Sequence, residues 1–433
     1  MHTAYIKTLF KTQRGRLNNL SILLFSNIYM AGLGFVTTIK IANALGAAKF
    51  GELTYAIAVG TILAANIRFG MDRSLIRDLT HYPGRFNETL TVSLLIRGLL
   101  FCLCSITLLI LVTLPDSILN ISWGMFWICI ATMLSPLQIA NVFDVWECQG
   151  RHAIYSCAER TIYFILIWTV LFLEPARLNL ELIGGALTIA VLFFLILQYH
   201  YAWKRLTPNL KGMSIKHTKK SIFALLSSNK WLWMASLATL ALTALNSIAL
   251  KHAAGFSDLG VYGASFQLLS IGTLLLKNIA RIGRPILARQ TTPGSISGRG
   301  IIHFLVIYLA FAILAVSIIA LPAIVIPKKI LLTFFIPEYA NGYWVLRLFG
   351  ICLLAYVFDI LLGQFIILLR IDKVFFSARL AAGMVSLTAC LILAPHFGAT
   401  GAAIALLAGE VILATVYILK ATKYIKKLPT TCL

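Results

Sequence analysis

The sequence has few charged residues, and acidic residues are the scarcest. Asp, Glu, Lys and Arg together make up 12% of the 433 residues, and only 15 of them are Asp or Glu. Hydrophobic residues account for 60% of the chain, which is more apolar surface than a water-soluble fold of this size can bury. This balance excludes a soluble protein and predicts that lipid is the solvent for most of the chain.

Motifs for catalysis and for metal binding are also absent. The sequence contains no GxxxxGK[ST] phosphate loop, no CxxC pair and no His/Cys spacing typical of zinc. The predicted outer loops are short, whereas a glycan polymerase or ligase would be expected to hold its catalytic residues in a large one. We therefore predict that the protein is not an enzyme, and that it has no metal site and no organic cofactor.

Long apolar runs dominate what remains. A bilayer core of about 30 Å needs about 20 apolar residues in a helix. Lipid cannot satisfy backbone hydrogen bonds, so unalternating runs of this length predict helices rather than barrel strands. Twelve such runs are present, at about 20–42, 53–71, 90–114, 119–143, 157–173, 181–203, 231–250, 259–280, 301–326, 344–369, 377–394 and 399–419. The predicted fold class is an all-α polytopic membrane protein.

The positive charge is distributed unevenly between the two predicted sides of the membrane. With both termini and the even-numbered connections on one side, that side holds 28 of the 37 lysines and arginines, and the other side holds five. The positive-inside rule then predicts that both termini are cytoplasmic. The net charge of +22 is thus explained by topology and by contact with anionic membrane lipids, not by nucleic acid binding.

The sequence also indicates a duplication. The basic stretch 204–230 separates two halves, 1–203 and 231–433, with six predicted helices each. Residues 42–56 (ANALGAAKFGELTYA) align with 251–265 (KHAAGFSDLGVYGAS) at an offset of 209. Repeats with an even number of helices run parallel about an axis along the membrane normal. We predict two six-helix lobes related in this way, around a transport cleft.

A second repeat carries acidic residues. The stretch NVFDVWECQG (141–150) recurs as YVFDILLGQF (356–365), which places Asp144 and Asp359 at an offset of 215. Asp144 is predicted at a helix end. Asp359 and Glu410 lie in the middle of apolar runs, and for Asp359 we expect a buried ion pair or a protonatable site. We interpret these three acids as gate or coupling residues, with Arg77 and Arg289 as partners when a cytoplasmic gate closes.

Four cations fall inside predicted helices, where a charge costs at least about 2.5–3.5 kcal/mol. They are Lys40, Arg68, Arg97 and Arg347, and Lys251 lies close to the repeat-mate of Lys40. Arg68 and Arg97 either snorkel to the cytoplasmic headgroups or face a cleft. We predict that Lys40, Arg68, Lys251 and Arg347 line a cationic cleft that binds an anionic substrate.

The run IANALGAAKFGELTYAIAVGTILAANIRFGMDRSLIRDL (41–79) resembles the N-terminal signature of polysaccharide flippases. These are the O-antigen repeat-unit (Wzx-type) transporters of the multidrug/oligosaccharidyl-lipid/polysaccharide (MOP) exporter superfamily. The matching positions are Leu45-Gly46, Phe50-Gly51, Tyr55-Ala56, Phe69-Gly70 and Arg77, followed by Pro136, Asp144, Trp146 and Gln149-Gly150. The sequence departs from the pattern at Val145 and Glu147.

The resemblance implies a MATE-like carrier in the bacterial inner membrane. It would move an undecaprenyl-pyrophosphate-linked oligosaccharide, such as an O-antigen or capsule-like repeat unit, from the cytoplasmic to the periplasmic leaflet. Implied partners are this anionic substrate, membrane lipids, a glycan polymerase and a chain-length regulator, and coupling to a proton or sodium gradient is left open. The alternatives are a drug or cation antiporter of the same superfamily, a membrane glycan polymerase or ligase, and a lipid II flippase, which usually has fourteen helices.

Overall fold

The structure of the protein is a computed structural model. It describes residues 2–72, 75, 79, 86–114, 121–146, 148–204, 215–290, 298–368 and 371–425. Helices joined by short turns make up these ranges, which contain no strand.

Twelve α-helices follow one another along the described chain. They are α1 (His2–Arg68), α2 (Phe86–Thr113), α3 (Trp123–Leu134), α4 (Ala140–Val145), α5 (Gln149–Leu173), α6 (Leu180–Trp203), α7 (Ile215–Leu240), α8 (Ala244–Gln290), α9 (Gly298–Val325), α10 (Pro327–Phe334), α11 (Tyr343–Leu368) and α12 (Asp372–Ile425). Short 3₁₀ helices lie at Ser135–Leu137, Pro175–Arg177 and Pro337–Gly342.

The long helices are apolar enough to cross a membrane. Nine stretches of the described residues have the necessary length and hydropathy. Large apolar side chains such as Phe172 and Leu314 are exposed on them, as expected when the surrounding solvent is lipid. The chain is therefore a multi-pass membrane protein.

Three of these stretches are far longer than one crossing needs. They contain 44, 57 and 52 residues. A straight helix of 44 residues would be about 66 Å long, more than twice the apolar core of a bilayer. Each stretch is interrupted by a glycine with positive φ, at Gly46 (74°), Gly255 (88°) and Gly398 (54°). If each of the three crosses twice, the described helices are compatible with the twelve predicted crossings.

The described chain divides into two compact units. The N-terminal unit comprises Met1–Lys40 and Val59–Trp233, and the C-terminal unit comprises Ile41–Ala58 and Met234–Leu433. The short segment 41–58 thus packs with the C-terminal part of the sequence, although its neighbours on both sides belong to the other unit.

The predicted repeat of residues 42–56 and 251–265 has a structural counterpart inside the C-terminal unit. A Cβ atom on Gly51 would lie 1.8 Å from the carbonyl oxygen of Phe256, and one on Gly260 would lie 1.8 Å from that of Ala47. Both pairs are related by the offset of 209, so each copy makes the same contact with the other. A two-fold relation between duplicated segments requires this reciprocity, and the kinks at Gly46 and Gly255 follow the same offset.

Candidate functional site

An ion pair lies buried in the C-terminal unit. Arg379 on α12 donates from Nη2 to Oδ1 of Asp359 on α11 at 2.7 Å, and from Nη1 to the Thr239 hydroxyl at 3.3 Å. The two charged side chains are only 14% and 8% exposed. The guanidinium carbon also lies 4.7 Å from the centre of the Phe375 ring. These contacts explain how an aspartate is tolerated in the middle of an apolar helix.

A second acid faces the same ion pair. Glu410, further along α12, is 2% exposed and interacts electrostatically with both Asp359 and Arg379. Its Oε2 atom has no hydrogen-bond partner among the described residues. We call Asp359, Arg379 and Glu410 the buried charge cluster. The ring of Tyr417 stacks on that of Phe375 beside the cluster, with 6.2 Å between the centroids.

The charges of the buried charge cluster do not balance when both acids are ionised. The guanidinium is always protonated and compensates one carboxylate. A second, uncompensated carboxylate would be very unfavourable, because removing one ion from water costs several kcal/mol. The cluster is therefore chemically suited to hold one proton or one small cation in addition to Arg379.

The duplicated Val-Phe-Asp motif has two different environments. Its apolar part is alike in both copies, since Val142 and Val357 are both fully buried. Asp144, in contrast, is exposed near the end of the short helix α4, whereas Asp359 is buried within α11. Only the second copy carries a buried charge.

The gate predicted from the sequence pairs the acids with Arg77 and Arg289. Arg77 lies outside the described residues, and so does the side chain of Arg289 on α8. The predicted pairing of the acids with Arg77 and Arg289 stays a prediction. The ion-pair partner of Asp359 in the structure is Arg379.

A second buried arginine lies in the N-terminal unit. Arg97 on α2 is 2% exposed, and it donates from Nη2 to Asp72 Oδ1 at 2.8 Å and from Nη1 to the carbonyl oxygen of Pro136 at 2.6 Å. The snorkelling alternative is wrong for Arg97. The 3₁₀ break after α3 frees backbone carbonyls inside the unit, so the guanidinium finds its partners there instead of at the membrane surface.

Arg68 shares the same aspartate. Its Nε lies 3.9 Å from Asp72 Oδ2, and its Nη2 donates to the Ser135 hydroxyl at 2.9 Å. The Arg68 side chain is 45% exposed, so it is held in place yet remains accessible. Two guanidinium groups therefore share one carboxylate here, the opposite balance to that of the buried charge cluster.

Both lysines of the predicted cleft lie against aromatic rings. Lys40 Nζ is 5.7 Å from the centre of the Trp168 ring in the N-terminal unit. Lys251 Nζ is 5.2 Å from Tyr55 and 5.4 Å from Phe256 in the C-terminal unit. Such contacts are worth about 0.5–2 kcal/mol each and hold an ammonium group without neutralising it.

Arg347, on α11, is held by its own helix and by α9. Its Nε donates to the carbonyl oxygen of Ile324 on α9 at 3.0 Å, and its guanidinium carbon lies 4.7 Å from the Trp344 ring. The side chain is half-buried. The positive charge is thus hydrogen-bonded to a neutral carbonyl and stacked on a neutral ring.

Residues 17–289 match the family described as polysaccharide biosynthesis protein. The chain belongs to this family. No curated protein matches the chain significantly.

The chain is also similar in fold to solved structures of membrane transporters. The inward-facing conformation of a multidrug resistance MATE family transporter of the MOP superfamily is similar to the chain with a TM-score of 0.67 and 14% identity, over 96% of this chain and 99% of that one. The lipid II flippase MurJ, in an inward closed conformation, gives 0.66 and 12% over 92% and 87%. A MOP superfamily transporter from Pyrococcus furiosus, whose binding pocket is described as having reverse polarity, gives 0.52 and 13% over 94% and 93%.

The family match confirms the predicted likeness to polysaccharide biosynthesis proteins, and these structures confirm the predicted all-α membrane fold class. This family member is an all-α membrane protein with the fold of MATE transporters and MurJ. At these identities the comparison concerns the fold alone.

Two residues of these sites were not predicted from the sequence. Arg379 was counted among the cations of the cytoplasmic side although it lies at the start of the predicted run 377–394, and in the structure it is buried on α12, which begins at Asp372. Asp72 was not among the predicted site residues. A weak signal existed for each: Phe375 and Arg379 are four residues apart and share one face of α12, and Asp72 follows Arg68 at the same spacing, which suits an ion pair.

Proposed function

We propose that the protein is a flippase that moves an undecaprenyl-pyrophosphate-linked oligosaccharide from the cytoplasmic to the periplasmic leaflet by alternating access. The observation that carries the proposal is the match of residues 17–289 to the polysaccharide biosynthesis family, in a chain of which 96% is similar in fold to a MATE transporter. Among the proteins with this fold, MurJ is a flippase for lipid II. The substrate would be an O-antigen or capsule-like repeat unit.

The residues proposed to bind the headgroup are Lys40 and Arg68 in the N-terminal unit and Lys251 and Arg347 in the C-terminal unit. Lys40 and Lys251 lie against aromatic rings, and Arg347 donates to a carbonyl oxygen. These partners are neutral, so they leave the positive charge available. Arg68 keeps a half-exposed guanidinium group beside Asp72. A pyrophosphate, or an acidic sugar, is the chemical class that such groups attract in a medium of low dielectric constant.

The buried charge cluster is the proposed coupling site. A proton or a sodium ion bound beside Glu410 would balance the second carboxylate, and its release would leave that carboxylate uncompensated. An ion gradient could thereby bias the direction of transport without an organic cofactor. The glutamate side chain, rather than the paired Asp359, is the group expected to exchange the ion.

A drug or cation antiporter of the same superfamily is the second candidate. The observation that favours it is the excess of buried carboxyl groups in the cluster of the C-terminal unit. In that case the acids would be essential for transport and the four cations would be dispensable.

The flippase proposal places the protein in the bacterial inner membrane with both termini in the cytoplasm. Residues 1–203 and 231–433 would form two six-helix lobes, joined by the basic linker 204–230. A glycan polymerase and a chain-length regulator are the expected partners, because they would consume the flipped repeat unit.

The decisive experiment compares the two candidates in one assay. Inverted membrane vesicles containing the protein are loaded with a fluorescent lipid-linked oligosaccharide that carries an acidic sugar, and its transfer across the bilayer is measured. The double variant Lys40→Ala/Lys251→Ala is expected to lose transfer while inserting normally into the membrane, and Lys40→Arg/Lys251→Arg is the matched control. Glu410→Gln is expected to retain transfer but to lose its dependence on an imposed ion gradient.

Full transfer in the alanine double variant would remove the cationic headgroup site. Efflux of a cationic dye that depends on Glu410, without any oligosaccharide transfer, would instead establish the antiporter.

A further inference from the structure

The short helix α10 (Pro327–Phe334) connects two membrane-spanning stretches of the C-terminal unit. The stretch before it ends at Val325, and the stretch after it begins at Pro337. With eight residues, α10 is about 12 Å long, too short to cross an apolar core of about 30 Å. It therefore lies at one surface of the membrane, on the side that the positive-inside rule predicts to be the outer one.

One face of α10 packs against the unit, and the rest of the helix is exposed. Pro327 and Leu331 are four residues apart, share one face and are buried. Lys328, Lys329 and Leu332 lie away from that face and are exposed, Leu332 to 46%. A short helix that exposes lysines together with a large apolar side chain suits the boundary between lipid headgroups and acyl chains.

The exposed face of α10 continues an apolar stripe on α9. The stripe consists of residues that are 71%, 75%, 55% and 67% exposed, at Leu314, Ile318, Leu321 and Val325. Their spacing of three or four residues places them on one face of the helix. Ile326, between α9 and α10, extends the stripe and is 46% exposed. A stripe of this composition faces acyl chains, so the surface that it reaches at α10 is a lipid surface.

Trp344 and Arg347 lie beside this exposed face. Trp344, near the start of α11, is 47% exposed, and tryptophan is enriched at membrane interfaces. As described above, Arg347 contacts both the Trp344 ring and the carbonyl oxygen of Ile324 at the end of α9. The Nη1 and Nη2 atoms of Arg347 donate to none of the described residues, so a further positive charge adjoins α10. We call Trp344 and the exposed side chains of residues 325–334 the interfacial surface.

The stability of α10 does not explain its two lysines. Lys328 and Lys329 lie in the first turn, where the helix dipole is positive and disfavours cations. Neither ammonium group forms an ion pair with an acid among the residues that the structure describes. The two lysines are also two of the five cations that the sequence count assigns to this side of the membrane. Adjacent cations on a side with few cations indicate an anionic partner outside the chain.

We propose that the interfacial surface binds the phosphate group of an acidic phospholipid, such as phosphatidylglycerol. Lys328 and Lys329 attract the phosphate, while Leu332 and Trp344 lie against the upper part of the acyl chains. The occupant is a membrane lipid because the surface continues the lipid-exposed stripe of α9. Lipid binding does not depend on the proposed function, and only its assignment to the outer leaflet rests on the predicted topology.

Photo-crosslinking tests the proposal. The full chain is placed in phosphatidylcholine nanodiscs that contain a small fraction of phosphatidylglycerol with a diazirine next to its headgroup, and the adducts are mapped by peptide mass spectrometry. Adducts are expected on residues 325–334. In Lys328→Gln/Lys329→Gln their yield is expected to fall about 5- to 30-fold, the loss of attraction to an anionic lipid from two basic residues. Lys328→Arg/Lys329→Arg should retain the yield, because it keeps both charges.

Lys420→Gln/Lys423→Gln is the matched control, because it removes two exposed lysines from the end of α12. It should leave the adducts on residues 325–334 unchanged. Equal losses in the two glutamine variants would overturn the proposal, as would equal yields from phosphatidylcholine carrying the same diazirine. Loss of the adducts on adding undecaprenyl pyrophosphate in an amount equimolar to the protein would also overturn it, because the surface would then bind a polyprenyl pyrophosphate instead of a phospholipid.

Discussion

Removing Arg379 should destabilise the protein strongly, because two acids would lose their shared cation. In Arg379→Met the carboxyl groups of Asp359 and Glu410 stay buried, at 8% and 2% exposure, without the guanidinium group that interacts with both. Breaking a buried ion pair by removing one partner costs about 3–5 kcal/mol. We expect the free energy of unfolding of Arg379→Met in detergent micelles to fall by about this amount.

The free energy of unfolding lost in Arg379→Met should return in two steps as the two acids of the buried charge cluster are neutralised. Adding Asp359→Asn to Arg379→Met removes one of the two unpaired acids and should restore only part of the stability. Adding Glu410→Gln as well removes the last buried charge, and the triple variant should come close to the parent, because replacing a complete set of buried charges by neutral groups is often nearly neutral.

The assay is reversible unfolding by titration with sodium dodecyl sulfate, followed by circular dichroism. Arg177→Met is the control, since Arg177 pairs with Glu174 in the same chain but is 75% exposed. An exposed pair contributes about 1 kcal/mol or less. If Arg379→Met costs no more than Arg177→Met, or if the triple variant is less stable than Arg379→Met alone, the reasoning about the buried charge cluster is wrong.

Two further predictions concern the units separately. Gly51→Ala should destabilise the protein by about 1–3 kcal/mol, because the new Cβ would meet the Phe256 carbonyl. Gly32→Ala is the control and should be harmless, since nothing lies within 4 Å of its Cβ. The same unfolding titration compares the two variants, and equal midpoints would contradict the close contact at Gly51. Arg97→Met should lower the free energy of unfolding by about 1–3 kcal/mol, because the Pro136 carbonyl loses its donor. Arg68→Met should lower it less, because Arg68 is half-exposed. The reverse order would contradict the buried position of Arg97.

The course of the helices could be predicted well from the sequence. An apolar run of about 20 residues has one stable solution in lipid, a helix, so every predicted run overlaps an observed helix, although 119–143 and 231–250 each cross a break between two helices. The glycines of the first repeat were also informative, because positive φ and close backbone contact both favour glycine. Helix starts were less predictable, as α12 shows by beginning five residues before the predicted run.

The partners of the buried charges could not be predicted in the same way. Arg97 and Arg68 looked alike in the sequence, yet one is buried and the other is half-exposed. Asp144 and Asp359 occupy the same place in a repeated motif, yet Asp144 is exposed whereas Asp359 is buried beside Arg379. These outcomes depend on which neighbouring helix faces the residue, and hydrophobic patterns along one helix contain no such information.

The sequence by itself determined the solvent, the helical class, the duplication and the superfamily resemblance, because these depend on composition, run length and repeated local motifs. Only the tertiary structure decided that Arg379 lies with Asp359 and Glu410, that Arg97 donates to the Pro136 carbonyl at the break after α3, and that residues 41–58 pack within the C-terminal unit. The physical reason is the same for all three. A charge or a segment inside lipid must find a partner, and the choice of partner is made by contacts between residues far apart in the chain.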